Sequence, residues 1–88
     1  MNTLNELQLS ILLALSDNPN YKTIQEVSEE HGDENVYNEC KWLKNNNYIT
    51  DHIVFHLSFD KKLFSTRIGS NMPLLTEKAL EIINSLHV

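Results

Sequence analysis

The chain has few of the residues on which small folds without a large core depend. A single cysteine among 88 residues, Cys40, excludes an internal disulfide and thus a disulfide-stapled scaffold. Two glycines leave no glycine-rich loop to hold a nucleotide phosphate. The longest apolar run, 11–15, is far shorter than the roughly 20 residues that span a bilayer. The first residues also lack the basic segment of a secretion signal, so we expect a cytoplasmic protein.

Catalytic and metal-binding patterns are missing as well. No arrangement of serine, histidine and acid is typical of a hydrolase, and we predict neither an enzyme nor a bound cofactor. His52 and His56 lie in an alternating segment that predicts a strand, which at roughly 3.3 Å per residue separates them by about 13 Å. We therefore predict no shared metal ion. Cys40 falls on the apolar stripe of a predicted helix, where a free cysteine is usually a small core residue.

What the sequence does contain is enough apolar residues, 41%, for one core in a single domain spanning 1–88. Four segments carry the three- to four-residue apolar period of buried helices: about 4–16, 23–31, 34–46 and 76–87. A further segment, about 48–68, changes to a period of two and predicts a β-hairpin. The predicted class is therefore α+β, mostly α, with the hairpin between the third and last helices.

Polar residues predict where the helices begin and end. Two pairs have the spacing of a capping box: Thr3 with Glu6, and Thr23 with Glu26. Gly32 is expected to follow the second helix, and Asp33 to be the N-cap of the third. The asparagines 45–47 should end the third helix, because asparagine tolerates the left-handed conformation. Thr76 can cap the last helix.

The apolar pattern also predicts which side chains face the core. On the third helix these are Val36, Cys40 and Leu43, with Trp42 at the margin. Trp42 is expected to pack against the hairpin or the strand that opens it; the alternative is an exposed aromatic residue that anchors an interface. On the first strand of the hairpin they are Ile53, Phe55, Leu57 and Phe59. The first helix has more leucines than one face needs, and two of them, Leu9 and Leu13, are surplus. Either the last helix covers them within one chain, or they form a homodimer interface together with Ile82 and Leu86.

Two local sequences resemble known patterns. Cys40 to Ile49 is similar to the end of the recognition helix in winged-helix proteins, where a leucine and a polar stretch precede a tight turn and a strand. Leu75-Thr76-Glu77-Lys78-Ala79 resembles the segment that opens the helix after the wing in MarR- and PadR-like regulators, with Ala79 in place of the usual glycine. Taken together, the chain resembles the small YjcQ-like winged-helix proteins of low-GC bacteria and their prophages. That resemblance implies a winged helix-turn-helix, and the wider class implies binding of duplex DNA or of another protein.

Charge is distributed unevenly along the chain, whose net charge is −5. Residues 1–40 hold one lysine against eight carboxylates, whereas residues 41–88 hold six cations against four carboxylates. A polyanion would therefore have to approach the second half of the chain. The carboxylates at helix starts also have an ordinary role, since they interact favourably with the helix dipole.

Two functions fit these observations. The first is a small DNA-binding transcriptional regulator of possible phage origin, in which the third helix reads bases and the wing contacts phosphates. Its predicted nucleic-acid-binding residues are Asn35, Asn38, Lys41, Lys44, Lys61, Lys62 and Arg67. The second is an acidic interaction module (an antirepressor, an adaptor or a DNA mimic) that presents the surface of the second and third helices to a basic protein partner.

Overall fold

Four helices and one hairpin make up the part of the chain that the structure describes. The computed structural model describes residues 4–69 and 71–86. In chain order the elements are α1 (Glu6–Leu15), α2 (Ile24–His31), α3 (Asp33–Asn45), β1 (Ile53–Leu57), β2 (Leu63–Arg67) and α4 (Glu77–Ser85). The predicted α+β class and the predicted order of elements are confirmed.

One core joins the helices to β1. The predicted inner stripe of α3, Val36, Cys40 and Leu43, is completely buried. Residues of α1 pack on this stripe of α3, and Ile11 and Leu12 among them are fully excluded from solvent. Further buried side chains come from α2, the segment after α3, β1, the segment before α4 and α4 itself: Val27, Tyr48, Ile49, Ile53, Phe55, Leu74, Leu75, Ala79 and Ile83. The core is therefore shared by the four helices and β1.

The cap of α1 differs from the prediction. The Asn5 side chain accepts from the Gln8 amide at 2.8 Å, and the Gln8 side chain accepts from the Asn5 amide at 3.0 Å. This pair forms the capping box, so the predicted box of Thr3 with Glu6 is wrong, and Glu6 is instead the first residue of the helix. Thr3 itself lies outside the described residues.

The predicted caps of α2 and α4 are confirmed. Thr23 and Glu26 form a reciprocal capping box at the start of α2. Thr76 accepts from the Ala79 amide at the start of α4, and its hydroxyl also donates to the Asn47 carbonyl at 2.6 Å. The second bond ties α4 to the end of α3.

A single glycine joins α2 and α3. Gly32 has φ 93° and ψ 135°, and it both ends α2 and precedes α3. The prediction of Asp33 as the N-cap of α3 is wrong, because Asp33 is the first helical residue. Its carboxylate is used elsewhere: Oδ2 accepts from the Leu63 amide of β2 at 2.8 Å.

The end of α3 follows the prediction. Asn47 adopts the left-handed conformation (φ 66°), and the Tyr48 amide then donates to the Leu43 carbonyl at 2.9 Å. The following residue, Ile49, forms an antiparallel bridge with Leu75. This bridge fixes the segment before α4 against the segment after α3.

The hairpin has β1 and β2 in antiparallel register, from Ile53 opposite Arg67 to Leu57 opposite Leu63. Ile53 and Phe55 are buried as predicted. The prediction that Phe59 faces the core is wrong: β1 ends at Leu57, and Phe59 lies in the connecting turn with its side chain fully exposed.

The surplus leucines of α1 are partly covered within the chain. Leu9 and Leu13 are half-buried and pack against the core, as does Ile82 of α4, whereas Leu86 remains 48% exposed. The chain therefore covers much of the predicted dimer surface itself, and the homodimer stays a prediction.

Candidate functional site

The outer face of α3 is accessible. Asn35, Asn38 and Lys41, three of the residues predicted to contact DNA, are exposed on it. The Asn35 amide nitrogen donates to the His31 carbonyl at 2.9 Å, and Lys41 Nζ lies 5.0 Å from the centre of the Tyr37 ring. Both contacts are local, so they leave this face open to a partner.

Lys44, also predicted to contact DNA, has a structural contact instead. Its ammonium donates to the Ile53 carbonyl at 2.8 Å, and the residue is only partly exposed. Together with the bond from Leu63 to Asp33, this contact connects the two ends of α3 to the two strands of the hairpin. We call these two bonds the α3 clamp.

Two of the three predicted hairpin cations are ion-paired. Lys61 Nζ lies 3.6 Å from Glu34 Oε2, and Arg67 binds Asp17 through two contacts of 2.7 and 3.3 Å. The hydrogen bonds to Asp17 raise the pKa of the Arg67 guanidinium, which therefore stays cationic. Within the part of the chain that the structure describes, no carboxylate lies within ion-pair distance of Lys62.

These ion pairs weaken the hairpin as a phosphate-binding surface. Exposed pairs are individually weak, about 0–1 kcal/mol, and a phosphate can compete for either cation. The displaced carboxylate of Glu34 or Asp17 would nevertheless stay beside the phosphate and repel it. Apart from Lys41, the sequence predicts four cations that contact DNA. Three of them, Lys44, Lys61 and Arg67, thus already have a partner within the chain.

The hairpin also carries an exposed apolar surface that sequence reasoning missed. Phe59 is fully exposed at the turn, and Phe64 and Ile68 are 57% and 51% exposed on or beside β2; we call these three residues the hairpin patch. The missed pattern was the alternation of Phe64, Thr66 and Ile68. Because the helices cover only one face of a two-stranded hairpin, this second set had to face outward.

Trp42 is a second exposed aromatic. Its side chain is 41% exposed and stacks on Tyr48 with ring centres 6.1 Å apart. Tyr48 is the first residue of the segment predicted as the hairpin, about 48–68, although in the structure it precedes β1 and lies in the turn after α3.

A groove separates β2 from α2. Its main part has a volume of about 600 Å³ and lies between Ile24, Ser28 and Glu29 of α2 and Leu63 and Ser65 of β2. A smaller part of about 360 Å³ continues past Ile24 and Ser65 toward the α1–α2 connection. The Ser28 hydroxyl is buried at this groove and has no hydrogen-bond partner among the described residues.

The remaining candidates for a reactive site are Cys40 and the metal-binding side chains. Burial raises the pKa of the Cys40 thiol to about 12, with a smaller contribution from Glu39, so Cys40 has almost no thiolate at neutral pH. Across residues 4–69 and 71–86, no three metal-binding side chains come together. No helix in those ranges is long and apolar enough to cross a bilayer.

Comparison with known proteins adds no identification. The chain has no significant match among protein-family models, curated proteins or solved structures.

Proposed function

We propose that the chain is a small winged-helix protein-interaction module. The order of three helices, a hairpin and a last helix supports the winged-helix architecture, as does the resemblance of the segments around α3 and before α4 to that class. The observation that carries the function is the composition of the hairpin: it exposes Phe59, Phe64 and Ile68 while two of its three cations are ion-paired. Exposed aromatic residues of this kind are enriched in protein interfaces.

The charge of the surface supports a protein partner with basic groups. α2 and the start of α3 carry Glu26, Glu29, Glu30, Asp33 and Glu34. Lys22 forms an ion pair with Glu30 and lowers the pKa of that carboxyl. Glu29 has no such partner in the described part of the chain. This is the acidic surface expected of an adaptor, an antirepressor or a DNA mimic.

The number of free cations argues against DNA as the main ligand. Each phosphate contact contributes a salt dependence of about −0.9 to log K against log salt. If only Lys41 and Lys62 are free to contact phosphate, the slope is about −2, well below that of a protein making six to ten phosphate contacts.

The test is to remove the carboxylates that hold the hairpin cations. In Asp17→Asn with Glu34→Gln, Lys61 and Arg67 are released, and we expect binding to a labelled mixed-sequence duplex to strengthen and the slope to approach about −4. The matched control, Glu77→Gln with Glu81→Gln on α4, makes the same change in net charge and should leave the slope near that of the wild type. Tight binding by the wild-type protein, with a slope already near −4, would contradict the proposal.

A DNA-binding regulator is the second candidate, and one observation favours it. Asn38 and Lys41 are exposed on the outer face of α3, and Lys62 lies in the turn of the hairpin without an ion-pair partner among the described residues. Asparagine and lysine are residues that read adenine and guanine or contact phosphate. On this candidate, Lys61→Ala with Lys62→Ala flattens the wild-type salt slope by about 2.

A further inference from the structure

The hydrogen bonding of the hairpin determines which way each residue of β2 points its backbone. The Ser58 amide donates to the Lys62 carbonyl at 2.9 Å, and the Ile68 amide donates to the His52 carbonyl at 2.8 Å. Bonded pairs alternate along an antiparallel ladder, so Phe64 and Thr66 also bond to β1. Leu63, Ser65 and Arg67 therefore direct their amides and carbonyls away from β1, toward an open edge.

Only one end of that edge is closed. The Leu63 amide donates to Asp33, as its outward direction requires. For the outward amide and carbonyl of Ser65, the structure gives no partner in residues 4–69 or 71–86. An exposed strand edge of this kind is a template for another strand.

The groove runs beside this open edge. Its two parts both border Ser65 on one side and Ile24 on the other, so an extended chain lying along β2 would pass through both.

The charges of the groove select among extended segments. The α2 wall and the start of α3 contribute Glu26, Glu29 and Asp33. With Asp17, four carboxylates line the groove against three cations, Lys22, Lys62 and Arg67. Asp17, Glu26 and Asp33 are bonded within the chain, as are Lys22 and Arg67, so Glu29 is the acceptor that remains for a partner on the α2 wall. This small excess of negative charge favours a segment that carries lysine or arginine.

We propose that a basic, extended segment of a partner protein adds to the open edge of β2 as a third strand, in the groove beside α2. This inference rests on the proposed protein-interaction function and identifies the kind of partner. The backbone of the segment bonds to Ser65 and Arg67, and its cationic side chains face Glu29 and the neighbouring carboxylates. Such strand addition takes its affinity from main-chain hydrogen bonds and its specificity from side chains.

The probe is a short blocked peptide of alternating lysine and valine, titrated into the full chain while the backbone amides are followed by NMR. We expect the largest shifts at Ser65, Arg67 and the α2 residues of the groove. A peptide of the same sequence with every backbone amide N-methylated keeps the charge but loses all amide donors, and should bind about tenfold more weakly or worse. A peptide with glutamate in place of lysine should lose affinity to a similar degree. Glu29→Lys should weaken the lysine peptide, whereas the control Glu77→Lys on α4 should not.

Several results would overturn the assignment. Equal binding of the N-methylated peptide would show that main-chain hydrogen bonds do not hold the probe. Shifts at Phe59 and Ile68 rather than Ser65 would place a protein partner on the hairpin patch, which keeps the proposed function and rejects the groove. Shifts of Ser65 on raising protein concentration without peptide would make a second copy the occupant. Absence of any peptide-dependent shift would also reject the groove, while the duplex-binding assay decides the function independently.

Discussion

Replacing Asp33 tests the connection between α3 and the hairpin. In Asp33→Ala the Leu63 amide loses its carboxylate acceptor, and the first turn of α3 loses a favourable charge. A hydrogen bond to a charged group contributes about 1.5–3 kcal/mol, and the partial exposure of both residues favours the lower part of that range. The helix-dipole contribution adds about 0.3–1 kcal/mol. We therefore expect the free energy of unfolding to fall by about 2 kcal/mol.

Glu34→Ala is the matched control. Glu34 occupies the same first turn, so its loss removes a similar helix-dipole contribution together with the exposed ion pair to Lys61. That pair contributes about 0–1 kcal/mol, so the control should lose about 1 kcal/mol and keep the bond to Leu63. The difference between the two variants, about 1 kcal/mol, measures one half of the α3 clamp.

Urea unfolding followed by circular dichroism and by the fluorescence of Trp42 gives both free energies. For a domain of this size each kilocalorie corresponds to about 4–8 °C in the melting temperature, so the difference between variants is easily measured. Hydrogen exchange adds a local readout, because the Leu63 amide should lose protection in Asp33→Ala only. Equal destabilisation by both variants, with Leu63 still protected, would refute the clamp.

Two further predictions concern stability. Gly32→Ala should lower the free energy of unfolding by about 1–3 kcal/mol in the same urea titration. The cause is the positive φ of this residue alone, because an added Cβ meets only Asn35, at an ordinary 3.5 Å. Asn47→Gly, also at a positive φ, should be nearly neutral. Because the buried Cys40 thiol has a pKa of about 12 against an ordinary 9.0, the unfolded chain ionises first as pH rises between those values. Over that range the wild type should lose up to about 1.4 kcal/mol per pH unit more than Cys40→Ala, and equal slopes would exclude the shift.

Local patterns in the sequence predicted local structure well. The capping box of Thr23 with Glu26 depends on residues three apart, and it forms as expected. At α1 two such pairs overlap in the sequence, and the same rule fits Asn5 with Gln8 as well as Thr3 with Glu6. Burial decided between them: Gln8 is only 7% exposed, so a helix that begins at Glu6 both caps itself and satisfies a buried amide.

Other features of the structure depend on contacts between residues far apart in the sequence. The sequence pattern predicts Asp33 as an N-cap, but its carboxylate accepts from the Leu63 amide, 30 residues away. Lys44 and Arg67, which stay predicted DNA contacts, each have a partner outside their own element, nine and fifty positions away. The periodicity of a sequence does not reveal such pairs. A phosphate-binding site inferred from charge alone therefore includes cations that already have a partner within the chain.

The α3 clamp has a consequence for how the sequence can change. Asp33 and Lys44 are eleven residues apart, which on an α-helix is just over three turns and places both on one face, about 16 Å apart along the axis. Inserting or deleting one residue between them would rotate one end by about 100° and break one of the two bonds. The length of α3 therefore sets the distance between its two bonds to the hairpin. We expect natural length variation in this protein to fall in the connections and to leave α3 unchanged.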